Sequence, residues 1–337
     1  MANQLDFNSQ EFTGKTRRKR NRFFLILGVV IFGYIFFNTF EPAWTKRFAT
    51  LLFFNQNQAK EIDPDYIMPE KELNRLDILI LRIRGENDAD AELAGPLLTD
   101  TIMVFSHDKI TKKSSLISLP RDLYVKIYDK KDKINSAYEY GLLRKEGANY
   151  VKNLVSQISG VYIDNVIVVD FSSFEKLIDR LGGIDVTLAK PFKEEGQWGY
   201  TFELPAGANH LNGKDALYYV RSRYSTTDFD RAYRQQQVLF AIKERLAGLN
   251  IIYDPIKTLS IINNLSQNIK TDINLWDIKK IIDLGKEVDT SPAMFKKDVL
   301  STENLLYQTN NSKGTYILRP QGDNFIQIKQ LFQEILN

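Results

Sequence analysis

At 337 residues, 43% of them hydrophobic, the chain can bury one large core or two modest ones. A net charge of only +3 provides no global field to recruit nucleic acid, so any basic effect must be local. With no cysteine and two histidines, His107 and His210, disulfide frameworks, thiolate zinc sites and cysteine nucleophiles are excluded and a serine–histidine triad is disfavoured. The chemistry left to carboxylates, arginines, lysines and hydroxyls points to hard cations and phosphate.

The chain opens on a polar tail that ends in the basic run Lys15 to Arg22. Phe23–Phe40 follows without a charged residue, and a helix of that length spans about 27 Å, enough for a bilayer core. The basic run places residues 1–22 in the cytoplasm and everything after Phe40 outside it. A cleaved signal peptide is the alternative, but Asn38 to Pro42 offers no A-x-A-like cleavage site, which favours an uncleaved signal-anchor over 23–40. Lying against that span, the basic run is explained by topology without nucleic acid. Residues 41–72 read as a stalk outside the membrane, with Pro64 and Pro69 breaking helical continuity.

From Leu73 to the C-terminus the pattern is that of one α/β domain. Leu76–Ile83, Thr101–Phe105, Leu116–Leu119 and Val166–Val169 are short runs apolar on both faces, as strands covered by helices on two sides read. The early strands follow one another closely enough for hairpins, so the sheet is expected to be mixed. Val151, Leu154, Val155 and Ile158 form a helical stripe that ends at Gly160. Ser172 to Glu175 reads as a capping box opening a helix that Gly182 and Gly183 stop, and a strand follows at Ile184–Leu188. Gln197–Asn209 is read as an irregular loop over a cleft; helices are expected at Pro255–Leu265 and Leu275–Leu284, and a strand at Thr315–Leu318.

The most informative stretch is Leu211–Leu246. From Arg231 onward it reads as a helix with Val238, Ile242 and Leu246 facing inward, which puts Arg231, Arg234 and Gln235 on the same face in the first two turns. Cations at a helix N-terminus oppose the macrodipole by roughly 0.3–1 kcal/mol each. A phosphate held between them reverses that sign. The competing reading is that Asp228 or Asp230 caps the helix and the arginines pair locally. Two further loops carry polar residues at strand ends. Arg82–Asp100 contains Glu86, Asp88, Asp90 and Glu92, and Asp100 immediately precedes a buried run, where a lone charge needs a partner. In Ser118 to Asp122, Pro120 ends a strand and Arg121 leaves the sheet, either toward a ligand or into a local pair with Asp122. Taken together, Arg121, Arg221, Arg223, Arg231 and Arg234 with Asp100 and Asp228 look like a pyrophosphate site, since so many guanidiniums at one cleft repel unless an anion sits among them.

Thr99-Asp100-Thr101, Leu119-Pro120-Arg121-Asp122, Lys133-Ile134-Asn135, Val169-Asp170-Phe171, Leu181-Gly182-Gly183-Ile184-Asp185-Val186 and the block from Leu211 through Arg221, Arg223, Asp228, Arg231 and Arg234 to Gln235 occur in an order that resembles the LytR–CpsA–Psr family. The resemblance runs from about Leu73 to Leu246. It implies an α/β/α sandwich with a mixed central sheet and an apolar tunnel for a lipid tail, acting as a phosphotransferase outside the membrane. Such an enzyme takes a glycopolymer from a polyprenyl-pyrophosphate carrier and attaches it through a phosphodiester to an envelope acceptor, usually a peptidoglycan sugar hydroxyl. Carried over by position, Arg121, Arg221, Arg223 and Gln235 hold the pyrophosphate, with Arg234 grouped beside them. Arg231 and Asp228 stand closest to the chemistry, and Asp100 is a carboxylate for Mg²⁺, with Mn²⁺ as a substitute. Two positions depart from the pattern. Leu98 stands where relatives often have arginine, a charge Arg84 is a candidate to replace. Arg82-Ile83-Arg84 replaces a Gly-x-Asp, leaving Asp88, then Asp90, as the candidate second metal carboxylate. The implied reaction competes with hydrolysis of the carrier pyrophosphate, with transfer to a protein and with a non-catalytic lipid-pyrophosphate-binding regulator.

Overall fold

The computed structural model describes residues 63–85, 95–249, 269–273 and 278–337. The expected anchor at 23–40, the helix at Pro255–Leu265 and the acidic residues Glu86, Asp88, Asp90 and Glu92 lie outside them. Among the described residues no helix is long and apolar enough to cross a membrane.

The apolar runs become strands β1 (Arg75–Ile83), β2 (Thr99–Asp108) and β3 (Ser114–Leu119), each antiparallel to the one before it. A small hairpin follows, β4 (Tyr124–Ile127) with β5 (Lys130–Lys133), and then helices α1 (Ala137–Leu143) and α2 (Ala148–Ser159). Strand β6 (Asn165–Asp170) pairs parallel with β1. The chain then continues through α3 (Phe171–Arg180), β7 (Ile184–Leu188), β8 (Phe192–Glu194), β9 (Phe202–Leu204) and β10 (Gly207–Leu211) into α4 (Gly213–Arg221) and α5 (Asp228–Gly248). It ends with β11 (Ile269–Thr271), α6 (Ile278–Glu287), β12 (Phe295–Val299), β13 (Leu306–Asn310), β14 (Tyr316–Pro320) and α7 (Ile326–Glu334). The central sheet has the order β11-β6-β1-β2-β3-β12, with parallel and antiparallel neighbours, so the expected mixed sheet is what forms.

Alternate residues of the central strands feed two apolar layers, as the period of two requires. Leu79, Leu81, Ile102, Val104, Ile117 and Leu119 pack against Val151, Val155 and Ile158 of α2 and Ile328 and Phe332 of α7. On the opposite face Ile80, Met103, Phe105 and Leu116 meet Leu239 and Phe240 of α5 and Phe295. A third cluster joins α3, α4 and α5 to the small strands: Ile178, Ile184, Val186, Leu211, Tyr219, Val238 and Ile242.

The strand expected at Ile184–Leu188 has those ends and pairs with β10 in a separate two-stranded ribbon. Three local readings change. Gln197–Asn209 is not wholly irregular: it contains β9 and the start of β10, elements too short to show a period in sequence. The helix after β6 opens at Phe171, because Asp170 is its N-cap and accepts from Ser173 N at 2.7 Å; strand runs into helix with no loop. The helix of the arginine cluster begins at Asp228, three residues before Arg231, with Thr227 as N-cap and Asp230 completing a capping box.

Residues 63–72, read from sequence as the end of the stalk, make specific contacts with later elements of the chain. Tyr66 packs edge-on against Phe325 at 5.9 Å and its hydroxyl accepts from Lys126 N at 2.7 Å. Asp65 Oδ1 accepts from Phe325 N at 3.0 Å.

Asp170 fixes where α3 starts, and Gly85 at φ +89° lies so close to it that an added Cβ would stand 2.8 Å from Asp170 Cβ. Replacing Asp170 by alanine is expected to cost about 1 kcal/mol, the usual loss for an N-cap. In a domain of this size that lowers the thermal midpoint by about 2–4 °C. Thermal unfolding of Asp170→Ala checks this, and an unchanged midpoint would contradict the capping role.

Candidate functional site

Regular elements carry a set of polar side chains to one end of the sheet. Arg82 is the penultimate residue of β1 and Arg84 lies just beyond it; Asp100 is the second residue of β2; Arg121 leaves the turn after β3. Arg221 is the last residue of α4, Arg223 follows in the connecting loop, and Arg231 sits in the first turn of α5. With Gly95, Leu98, Asn135 and Gln197 they enclose a cleft of about 190 Å³. Among the described residues that lining has six arginines and one carboxylate, Asp100.

The charges are linked in series. Arg121 Nη1 donates to Asp100 Oδ1 at 2.8 Å, Arg121 Nε lies 3.3 Å from Asp228 Oδ2, and Arg231 Nη1 lies 3.1 Å from Asp228 Oδ1. The local Arg121–Asp122 pair considered from sequence is the longer contact at 3.7 Å, while Asp122 is held by Lys133 Nζ at 2.6 Å. Burial pushes the Asp100 carboxyl up, but Arg121, Arg82 and Arg231 together outweigh it and hold the group below the usual carboxylate range. Burial lowers Arg231. It lowers Arg82 to about 9, with Asp100 opposing and Arg231, Arg221 and Arg84 adding to the fall. Arg82 Nε is buried and has no hydrogen-bond partner among the described residues.

Aromatic rings support the guanidiniums. Phe171 lies 4.2 Å from the Arg221 guanidinium carbon, 4.9 Å from that of Arg82 and 5.7 Å from that of Arg84. Trp198 approaches Arg221 at 5.1 Å and stacks on Tyr218 with ring centroids 4.4 Å apart. Gln197 spans the loop after α4: its Nε2 donates to Arg221 O at 3.2 Å and its Oε1 accepts from Arg223 N at 2.8 Å. The buried carboxylate of Glu194 receives Tyr224 N at 3.1 Å and Ser225 N at 3.3 Å, tying down the same loop.

The structure brings most of the residues singled out from sequence to one place. Arg121, Arg221, Arg223, Arg231, Asp100 and Asp228 come together as expected, and Arg84 lines the cleft where Leu98 supplies no charge. Arg234 is not in that lining. Its Nε donates to Tyr219 O at 2.9 Å, its Nη1 to Thr226 Oγ1 at 3.0 Å and its Nη2 to Ser222 O. Gln235 Nε2 donates to Val220 O at 3.2 Å. The end of α4 runs alongside α5 one turn further in, and its last carbonyls lack intrahelical donors. Arg234 and Gln235 supply donors there, so they brace the loop carrying Arg221 and Arg223. Gln235 also borders a void shared with Asp100, Arg121, Asp228 and Arg231. That void runs along Ile102, Leu119, Phe229 and Val299 and holds about 20 Å³. This is room for about one water, so the apolar tunnel expected for a lipid tail is not open there. The metal candidate Asp88 lies outside the described residues. Arg82 was missed as a site residue, although a charge inside an otherwise apolar strand was a usable signal; Gln197 left no signal at all.

Because Asp100 is held below its ordinary value in the folded chain, its stabilising effect is complete above the ordinary carboxylate pKa near 4 and is lost as pH falls through the folded value. Asp100→Asn is therefore expected to unfold at lower temperature than the parent at pH 7, with the gap closing below about pH 4. A gap that persists unchanged in acid would contradict the pairing.

Comparison with known proteins places this architecture. The LytR_cpsA_psr family profile matches residues 54–333. The polyisoprenyl-teichoic acid–peptidoglycan teichoic acid transferase TagU of Bacillus subtilis is 30% identical over 273 residues, covering 78% of this chain and 83% of the relative. The regulatory protein MsrR of Staphylococcus aureus is 33% identical over 199 residues, covering 58% of this chain and 56% of the relative. The crystal structure of B. subtilis TagV superposes with a TM-score of 0.62 at 26% identity, over 79% of this chain and 98% of that one. The chain belongs to the LytR_cpsA_psr family.

Proposed function

We propose that the chain is a membrane-anchored, extracytoplasmic phosphotransferase. It moves a glycopolymer from a polyprenyl-pyrophosphate carrier onto a cell-wall acceptor, a peptidoglycan sugar hydroxyl, through a phosphodiester bond. The observation that carries this reading is the cleft in which six guanidiniums surround Asp100, a charge pattern matched to a multiply charged phosphate and to no neutral substrate. Similarity to transferases that are named for teichoic acid and peptidoglycan supports the same choice. The apolar, uncharged run 23–40 would hold the chain in the membrane with the cleft outside.

In this proposal Arg82, Arg84, Arg221 and Arg223 bind the pyrophosphate, and Arg121 and Arg231 stabilise charge that develops on the departing polyprenyl phosphate. The acceptor hydroxyl attacks the phosphorus attached to the glycan; the bond to the bridging oxygen breaks, and polyprenyl phosphate leaves. Asp228, at the partly exposed edge of the ion-pair series, takes the hydroxyl proton. Asp100 is an ionised oxygen donor facing the cleft, which fits one ligand of Mg²⁺ or Mn²⁺ when phosphate oxygens and water complete the shell, with Asp88 the candidate second. Such a cation, when bound, would neutralise pyrophosphate oxygens.

Incubating the full chain with lipid-linked glycan and peptidoglycan acceptor tests the reading. The ligated product is expected, whereas free glycan phosphate would indicate a hydrolase and a glycan on protein would indicate a different acceptor. Binding of the carrier without any product would favour the regulatory alternative. Arg231→Ala is expected to lower turnover by about 100-fold, the usual loss on removing a charge stabiliser, with the thermal midpoint little changed. Asp228→Asn keeps an acceptor for Arg231 but cannot take a proton. It is expected to lose a comparable factor, and near-parental turnover in Asp228→Asn would leave Asp228 with no role as base.

A further inference from the structure

Phe171 is 2% exposed, yet among the described residues it joins none of the three apolar clusters. Three guanidiniums stand over its ring, those of Arg221, Arg82 and Arg84, at 4.2, 4.9 and 5.7 Å from the centroid. All three line the arginine cleft, and they reach the ring from two separate parts of the chain, the end of β1 and the end of α4. Backbone contacts fix where the ring is carried. Asp170 caps α3 through Ser173 N, Phe171 N donates to Arg84 O at 3.3 Å, and Gly85 leaves no room beside Asp170 for a side chain.

We infer that Phe171 is a positioning residue for the anion site, a π platform that keeps three mutually repelling guanidiniums gathered and oriented toward the cleft before a phosphorylated ligand arrives. The inference rests on the pyrophosphate reading above and specifies which uncharged residue prepares the site. An aromatic face attracts a cation through its quadrupole, more strongly where water is excluded. An aliphatic side chain of similar volume fills the space but offers no such attraction. A carboxylate in that place would hold the guanidiniums too, but it would also neutralise charge that the ligand needs. The aromatic ring attracts them without adding a negative charge of its own. Trp198, stacked on Tyr218 and 5.1 Å from Arg221, adds a second ring near one of the three.

The test is calorimetric titration of the full chain, in detergent, with inorganic pyrophosphate. The parent is expected to bind, and Phe171→Leu to bind about ten-fold more weakly, equal to about 1.4 kcal/mol, with the apparent stoichiometry unchanged. Since Phe171→Leu also changes packing, a second series replaces Phe171 by phenylalanines carrying one, two and three ring fluorines. These keep the shape and progressively weaken the π face. Affinity is expected to fall stepwise along the series while the thermal midpoint stays within about 2 °C, a trend that a purely space-filling role would not produce. Parental binding with a flat fluorine series overturns the platform and leaves the pyrophosphate reading standing. Failure of the parent itself to bind pyrophosphate overturns both.

Discussion

The feature on which the rest of the site depends is the ion-pair series Asp100–Arg121–Asp228–Arg231, set among four further guanidiniums. Two like charges about 7 Å apart repel by about 2 kcal/mol at an effective dielectric of about 20, so such a cluster stays together only if the scaffold holds it. The arginines accordingly stand on or next to the ends of strands and helices, and Asp100 is kept ionised by the cations around it. The two carboxylates bind the cluster into one unit without cancelling it. Among the described residues the lining of about 190 Å³ carries more guanidiniums than carboxylates, a pattern complementary to a compact polyanion.

The supports around this cluster are themselves organised by helix and strand ends. Asp170 turns β6 directly into α3 and so fixes Phe171 beneath Arg82, Arg84 and Arg221. Thr227 and Asp230 cap α5, and that acidic first turn offsets the unfavourable placing of Arg231 and Arg234 near a helix N-terminus. Arg234, Gln235, Gln197 and Glu194 all bond to the backbone between Tyr219 and Ser225, which carries Arg221 and Arg223. Side chains bonded to that backbone, Arg234 and Glu194 outside the cleft lining and Gln197 within it, therefore decide where the cleft's charges stand.

Much of this was legible in sequence. The central strands announced themselves as short runs apolar on both faces, and Gly160, Gly182 and Gly183 marked helix ends because only glycine takes the left-handed backbone there cheaply. Arg231 and Arg234 were visible because they share a helical face with the apolar residues that must point inward. Periodicity, however, places a residue on a face and not at a depth along it. That is why Arg231 and Arg234 looked equivalent, although the first borders the cleft and the second meets the carbonyls of α4 one turn below. The capping of α3 was misplaced because Asp170, Ser172 and Ser173 are all competent caps and only the incoming strand direction selects among them. Gln197 carries no signal, since an amide in an irregular stretch becomes informative only when its backbone partners are known.

The most direct test of an anion site built for a pyrophosphate-linked lipid head is the affinity ratio between two short prenyl ligands that differ by one phosphate. Titrating the full chain with geranyl diphosphate and with geranyl monophosphate isolates the second phosphate from the shared apolar tail. The diphosphate is expected to bind at least about 100-fold more tightly, the equivalent of about 2.8 kcal/mol from additional charge-assisted hydrogen bonds to arginine. Equal affinities for the two would contradict a site assembled to grip pyrophosphate.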